Sequence, residues 1–107
     1  MSHPTQVQSE SHLLDTYLET LREHLPELRE RFQVYSLDVF GSYVHQRASP
    51  ESDLDILVTF DSTPGLLAFL ALENHLSDLL GVRVDLVMRD ALKPRIGERI
   101  LAEAVPV

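Results

Sequence analysis

Three aspartates and a Gly-Ser pair carry the clearest chemistry in this chain. Gly41-Ser42 is followed by ten residues and then by Asp53-Leu54-Asp55. Side chains alternate across an extended strand, so Asp53 and Asp55 project from one face with Cβ atoms ~6–7 Å apart. Two carboxylates at that spacing can share one or two divalent ions, and two-metal sites hold their ions about 3.5–4 Å apart. The residues around the pair, Leu54, Ile56, Leu57, Val58 and Phe60, are core-like. Uncompensated charges in such a setting repel each other and lose hydration, and a bound cation relieves both costs. Asp85, inside the run VRVDLV, is a third carboxylate set among apolar residues. Hard oxygen donors favour Mg²⁺ or Mn²⁺ over zinc. On the phosphate side, Gly41 lets the backbone turn sharply and approach a ligand. Ser42, opening a helical turn, can grip a phosphate oxygen. Each residue also has a plainer reading. Asp53 can cap a loop, Asp55 can be a solvated strand-end residue, and Asp85 can pair with Arg83 or Arg89. Gly41 can simply make the turn, with Ser42 as a helix cap.

The elements that must position these groups follow from periodicity. Leu14, Leu18, Leu21, Leu25 and Leu28 recur at steps of three and four, which predicts an amphipathic helix within 11–32. Pro26 is expected to break or kink it, leaving a helix to about residue 25 and a short turn beyond. Residues 34–40 are β-branched and aromatic and read as a strand ending at Gly41. Residues 43–52 are polar, contain Pro50, and read as a helical turn and loop. A second strand is expected at 54–60, stopped by the turn residues of 61–65. Residues 66–80 read as a strongly apolar core helix capped by Gly81. A third strand is expected at 82–87, with Arg83, Asp85 and Val87 on one face. Pro94 can open a last helix running to about residue 104. The order α-β-(α)-β-α-β-α makes this an α/β (α+β) chain with a small mixed β-sheet flanked by helices. We expect one domain over 11–107 behind a flexible N-terminal tail at 1–10.

Bulk properties narrow the function. The chain has 107 residues, 44% of them apolar, enough for one core. Its net charge of −8 disfavours autonomous nucleic-acid binding and suits a basic protein partner, or simply keeps a small protein in solution. There is no cysteine, no basic-then-apolar leader and no apolar run of membrane-spanning length. A cytoplasmic protein with no membrane contact is expected. His12, His24 and His75 show no shared spacing that suggests a metal.

With these residues in hand, the chain resembles a known family. Gly-Ser, ten residues and DxD is the signature of the nucleotidyltransferase superfamily that includes DNA polymerase beta. The helix before VFGS, the ESDLDILV and VDLV segments and the ending KPRIGERILAEAV are similar to the minimal nucleotidyltransferases. In particular they resemble the MntA-type antitoxins of HEPN/MNT toxin–antitoxin pairs, from about residue 13 to residue 105. The resemblance implies an ATP-using transferase that adds AMP to a tyrosine of a partner HEPN-type RNase toxin and silences it. It implies that Gly41 and Ser42 contact the triphosphate. Asp53, Asp55 and Asp85 would be the catalytic carboxylates and hold two Mg²⁺ ions, with Asp85 also activating the attacking hydroxyl. Many relatives read GS-aromatic-Ala-Arg-Gly where this chain reads GSYVHQR. His45 therefore stands in place of the usual Arg and Gln46 in place of the usual Gly, and Arg47 is the candidate substitute for the missing cation at the triphosphate. The altered loop keeps open a non-catalytic alternative, a nucleotide-binding module that neutralises a partner protein by direct binding. Transfer to a small molecule such as an aminoglycoside is a third reading, although enzymes of that kind carry extra helices.

Overall fold

The computed structural model describes residues 10–49 and 51–107. The tail expected at 1–10 lies outside the described residues except for Glu10, which opens the first helix. Helix α1 spans Glu10–Phe32 and strand β1 spans Val34–Phe40. Strand β2 (Leu54–Phe60) and helix α2 (Leu66–Leu80) follow, then strand β3 (Val84–Met88). A 3-10 turn at Arg89–Ala91 leads to helix α3 (Pro94–Glu103) and a two-residue strand β4 (Val105–Pro106).

The four strands form one mixed sheet in the order β3-β2-β1-β4. β1 runs antiparallel to β2 and β4, whereas β2 and β3 are parallel. The C-terminal end of β1 therefore meets the N-terminal ends of β2 and β3 at one edge of the fold. That edge receives Gly41, Asp53, Asp55 and Asp85.

Period-two alternation sorts each strand into two faces. Leu37, Val39, Leu54, Ile56, Val58, Val84 and Leu86 are buried in the main core with Leu18, Leu21 and Leu28 of α1 and Leu72 and Leu76 of α2. The predicted leucine stripe of α1 thus points inward. The opposite sheet face carries Asp38, Asp55 and Asp85 in register with Phe40, Leu57 and Val87. Leu57 is buried there outside the main core, where the 3-10 turn packs on β2.

Three expectations need correction. The first helix does not stop near residue 25, because α1 runs through Pro26 to Phe32. Proline removes one backbone hydrogen bond, here to the Arg22 carbonyl. Arg22, Glu23 and Pro26 lie on the exposed side, so water can satisfy that carbonyl, while fully buried Leu28 holds the far half of the helix on the core. Second, α2 is only partly a core helix. Leu72 and Leu76 are buried, but Leu66 and Leu67 are 72% and 82% exposed. Third, β4 went unforeseen because two residues leave no periodic signal. Its pairing with Val39 and Asp38 is extended by Val107, whose N–H donates to the Leu37 carbonyl at 3.0 Å.

Helix α2 also closes the free edge of the sheet. The Val84 N–H donates to Ser77 Oγ at 3.0 Å and the Leu86 N–H to Glu73 Oε2 at 2.8 Å. Both donors belong to the edge strand β3, and side chains from the helix satisfy them. An unpaired edge of this kind otherwise invites pairing with another chain. Gly81, with φ 71°, ends α2 in the expected left-handed cap.

Candidate functional site

Register builds the site. Asp55 pairs across β1–β2 with Phe40 and across β2–β3 with Asp85. Adjacent strands lie about 4.8 Å apart, so the Asp55 and Asp85 side chains emerge side by side. A side-chain hydrogen bond between Asp55 and Asp85 favours the protonated form of Asp55. Because Phe40 faces Asp55, the next residue turns directly over the Asp55 carboxylate. That residue is Gly41, at φ 85°. A Cβ built on Gly41 would overlap Asp55 Oδ2 and come within 3.0 Å of its Cγ. Glycine is required twice here, by the left-handed backbone and by the carboxylate packed against it.

Beyond Gly41 the chain folds into a tight turn. The Val44 and His45 N–H groups donate to the Gly41 carbonyl at 3.0 and 3.2 Å, and the Arg47 N–H donates to the Ser42 carbonyl at 2.8 Å. Tyr43 anchors the turn from below. It is 4% exposed and meets Tyr17 of α1 edge-on, with ring centroids 5.6 Å apart. Ser42 is thus held in the turn directly after Gly41, the residue that packs on the Asp55 carboxylate. Arg47 is exposed at the end of the turn. Gln46 takes φ 57°, a left-handed conformation that glycine, the residue the family resemblance implies here, adopts without strain. A non-glycine residue there costs about 1 kcal/mol. Gln46→Gly is therefore expected to raise the melting temperature by roughly 4–8 °C. An unchanged melting temperature would mean that side-chain contacts of Gln46 offset the strain.

The electrostatics are those of a site that wants a cation. Asp55 has its pKa pushed up from 3.8 to about 6, first by burial, then by the charges of Asp85 and Asp53, and by the hydrogen bond with Asp85. Asp53 sits just ahead of β2, with Arg83 Nε 3.8 Å from its Oδ1. Arg83 therefore pairs with Asp53 rather than with Asp85, and it lines a cleft of about 400 Å³ beside Asp53. Among the described residues no three His, Asp or Glu side chains already enclose a metal position. The donor set nevertheless fits Mg²⁺, which keeps several waters and takes one or two carboxylates plus substrate phosphates rather than a closed protein cage.

The structure brings Gly41, Ser42, Asp53, Asp55 and Asp85 to one edge of the fold. It also shows groups that the sequence reading missed. Asp38 lies on the same sheet face, two residues before Phe40; burial raises its pKa and the charge of Arg89 opposes that rise. Alternation within LDVF was the available signal. His45 Nε2 lies 2.8 Å from Glu103 Oε1 at the end of α3. Nothing in the local sequence of either residue announces that pair, since they are 58 positions apart.

Comparison with known proteins bears on the family and the fold. Residues 21–107 match the nucleotidyltransferase domain model. The chain is 53% identical over 87 residues to the protein adenylyltransferase MntA of Thermococcus cleftensis, covering 81% of this chain and 88% of that one. A solved minimal nucleotidyltransferase superposes with a TM-score of 0.71 at 41% identity, covering 84% of this chain and 92% of that chain. A complex of a tri-AMPylated HEPN toxin of Shewanella oneidensis with its MNT antitoxin matches with a TM-score of 0.57 at 21% identity. That match covers 91% of this chain and 70% of the other and is a likeness of fold alone. A glycine turn laid over paired strand carboxylates, and a family match through the whole of that sheet, make this chain a member of the nucleotidyltransferase domain family.

Proposed function

We propose that this chain is a Mg²⁺-dependent protein adenylyltransferase that moves AMP from ATP to a tyrosine hydroxyl of a HEPN-type RNase toxin and thereby acts as its antitoxin. The observation that carries the reading is the Asp55–Asp85 pair under Gly41, in a chain half identical to a protein adenylyltransferase. Residues 11–107 act as one catalytic domain, in the cytoplasm where ATP and RNA meet.

Asp53, Asp55 and Asp85 hold the metal, as two Mg²⁺ ions or Mn²⁺ in their place. Bound there, the ions would neutralise phosphate charge and lower the pKa of the attacking hydroxyl. Gly41 brings backbone close to the triphosphate, and Ser42 donates its hydroxyl to a phosphate oxygen. Arg47 and Arg83 stand on the two flanks and add positive charge toward the leaving pyrophosphate. Asp85 is more exposed than its partner Asp55, so it is the acid within reach of an incoming hydroxyl and takes the acceptor proton. The tyrosine oxygen bonds to the α-phosphorus as the bond to pyrophosphate breaks in line, and no covalent enzyme intermediate is needed.

The test is intact mass of the cognate toxin after incubation with this chain, ATP and Mg²⁺. Whole AMP units should appear on the toxin and be absent with the Asp53→Asn/Asp55→Asn variant. An unmodified toxin, bound by the wild-type chain with ATP present, would replace the transferase with a module that neutralises by contact.

A further inference from the structure

The chain is acidic overall, but its charge is not spread evenly. Four of its nine lysines and arginines, namely Arg89, Lys93, Arg95 and Arg99, fall in the single segment 89–99, against only Asp90 and Glu98. All four are exposed. Among them Ile96 is 52% exposed and Leu101 38% exposed. Helix α3 therefore offers apolar groups framed by cations, on a molecule whose remaining surface is strongly negative.

The shape of this surface is also specific. Gly97 is buried and fixes which side of α3 faces the protein. On the outer side Ile96, Arg99, Ile100 and Glu103 recur at helical spacing and line a shallow cleft of about 200 Å³. A second cleft of about 380 Å³ lies along the other flank, between α3 and the turn that precedes it, and includes Lys93 and Leu101. The stripe ends at Glu103, whose carboxylate is bound to His45 on the turn that follows Gly41-Ser42. A segment lying along α3 is thus led to the mouth of the carboxylate site.

We infer that α3 and the turn before it are the docking surface for the acceptor protein, and that they take an acidic, amphipathic segment of it close to the tyrosine that receives AMP. This rests on the transferase reading above and names how that reaction finds its substrate. Cations facing carboxylates select and steer such a segment, while Ile96 supplies an apolar anchor at the centre. A protein fits better than a nucleic acid. A phosphate backbone carries its charge along its whole length and so runs off the basic stripe onto the surrounding acidic surface, whereas a short acidic segment stays within the stripe, and the backbone offers nothing to bury Ile96.

The measurement is the dissociation constant between the full chain and the purified cognate HEPN toxin, by titration calorimetry, alongside AMP transfer by intact mass. Ile96→Glu and Arg95→Glu/Arg99→Glu should each weaken binding roughly 30-fold. Binding of wild type should weaken with added NaCl, and that dependence should flatten in the double variant. All three residues are exposed, so the variants should melt as wild type does and keep the same shift in melting temperature with ATP and Mg²⁺. Tight toxin binding that neither variant disturbs would overturn the inference, as would the absence of any toxin binding by wild type. Loss in the variants of affinity for a tRNA that wild type binds, with toxin binding intact, would overturn it in favour of nucleic acid. Wild type that binds the toxin through α3 but transfers no AMP would leave the docking surface standing and remove the transferase reading alone.

Discussion

Asp55→Asn is expected to lower AMP transfer roughly 10³-fold or more while making the metal-free protein more stable at neutral pH. The two effects have one cause. Asp55 is held by register between Gly41 and Asp85, half-buried and next to like charges, so its ionised form is disfavoured in the fold. Its folded pKa of about 6 lies above the ordinary value of 3.8. Below pH ~4 the carboxyl is protonated in both states and the fold carries no penalty. As pH rises from about 4 to about 6 the unfolded chain releases this proton first, and stability is lost through that window. Above it the full penalty remains. A shift of this size corresponds to about 3 kcal/mol at most, and solvent screening of a half-exposed group reduces it to about 1 kcal/mol. Asparagine keeps the shape and removes the charge, so the variant should gain that amount at pH 7 and nothing at pH 4. Mg²⁺ should reverse the order. On the proposed function it would bind only the folded wild-type site, adding about 1.4 kcal/mol at ten times its dissociation constant, and should barely move the variant. Thermal melts of both proteins across pH 4–8, with and without Mg²⁺, read all of this. A variant less stable than wild type at pH 7 without metal would show that the acid is structural.

How much of this was legible beforehand depended on range. The strands β1, β2 and β3 and helices α2 and α3 were readable because alternation, apolar runs, Gly81 and Pro94 are local signals. The same alternation placed Asp55 and Asp85 on a face away from the core. What the sequence did not reveal are the contacts that only register creates. Nothing in FGSY announces that Gly41 lies against Asp55; that follows from the pairing of Phe40 with Asp55. Arg83 carries no mark that it will meet Asp53, nor His45 that it will meet Glu103. Pro26 misled because a local rule was applied without its context. An exposed helix face lets water take the orphaned carbonyl, and packing of Leu28 keeps the helix going. Gln46 is the reverse case. The resemblance marked it as a departure from glycine, and the left-handed backbone at that position gives the departure its physical meaning.

Gly41→Ala is the second large effect, and it should damage fold and chemistry together. A left-handed conformation costs an alanine about 1–2 kcal/mol. The added methyl also overlaps the Asp55 carboxylate, with Asp55 Cγ and Cβ at 3.0 and 3.2 Å. Moving that carboxylate is not free, because Asp55 sits in the middle of the sheet between Phe40 and Asp85. Overpacking of this kind adds about 1–3 kcal/mol. A total near 3 kcal/mol should lower the melting temperature by roughly 12–24 °C. Transfer should fall at least ~100-fold even below the new melting temperature, since a displaced Asp55 no longer lines up with Asp85 and the backbone can no longer approach the triphosphate. A double-mutant cycle separates the two costs. In an Asp55→Ala background the methyl has no carboxylate to strike, so Gly41→Ala should cost only the backbone strain. The cycle should therefore return a coupling of about 1–2 kcal/mol between positions 41 and 55. Strict additivity would mean that the glycine is there for its φ angle alone and that the carboxylate has room to move. Since the motif spacing brings this glycine over this acid only through the hairpin register of β1 and β2, the coupling measures directly how the fold converts a sequence signature into a site.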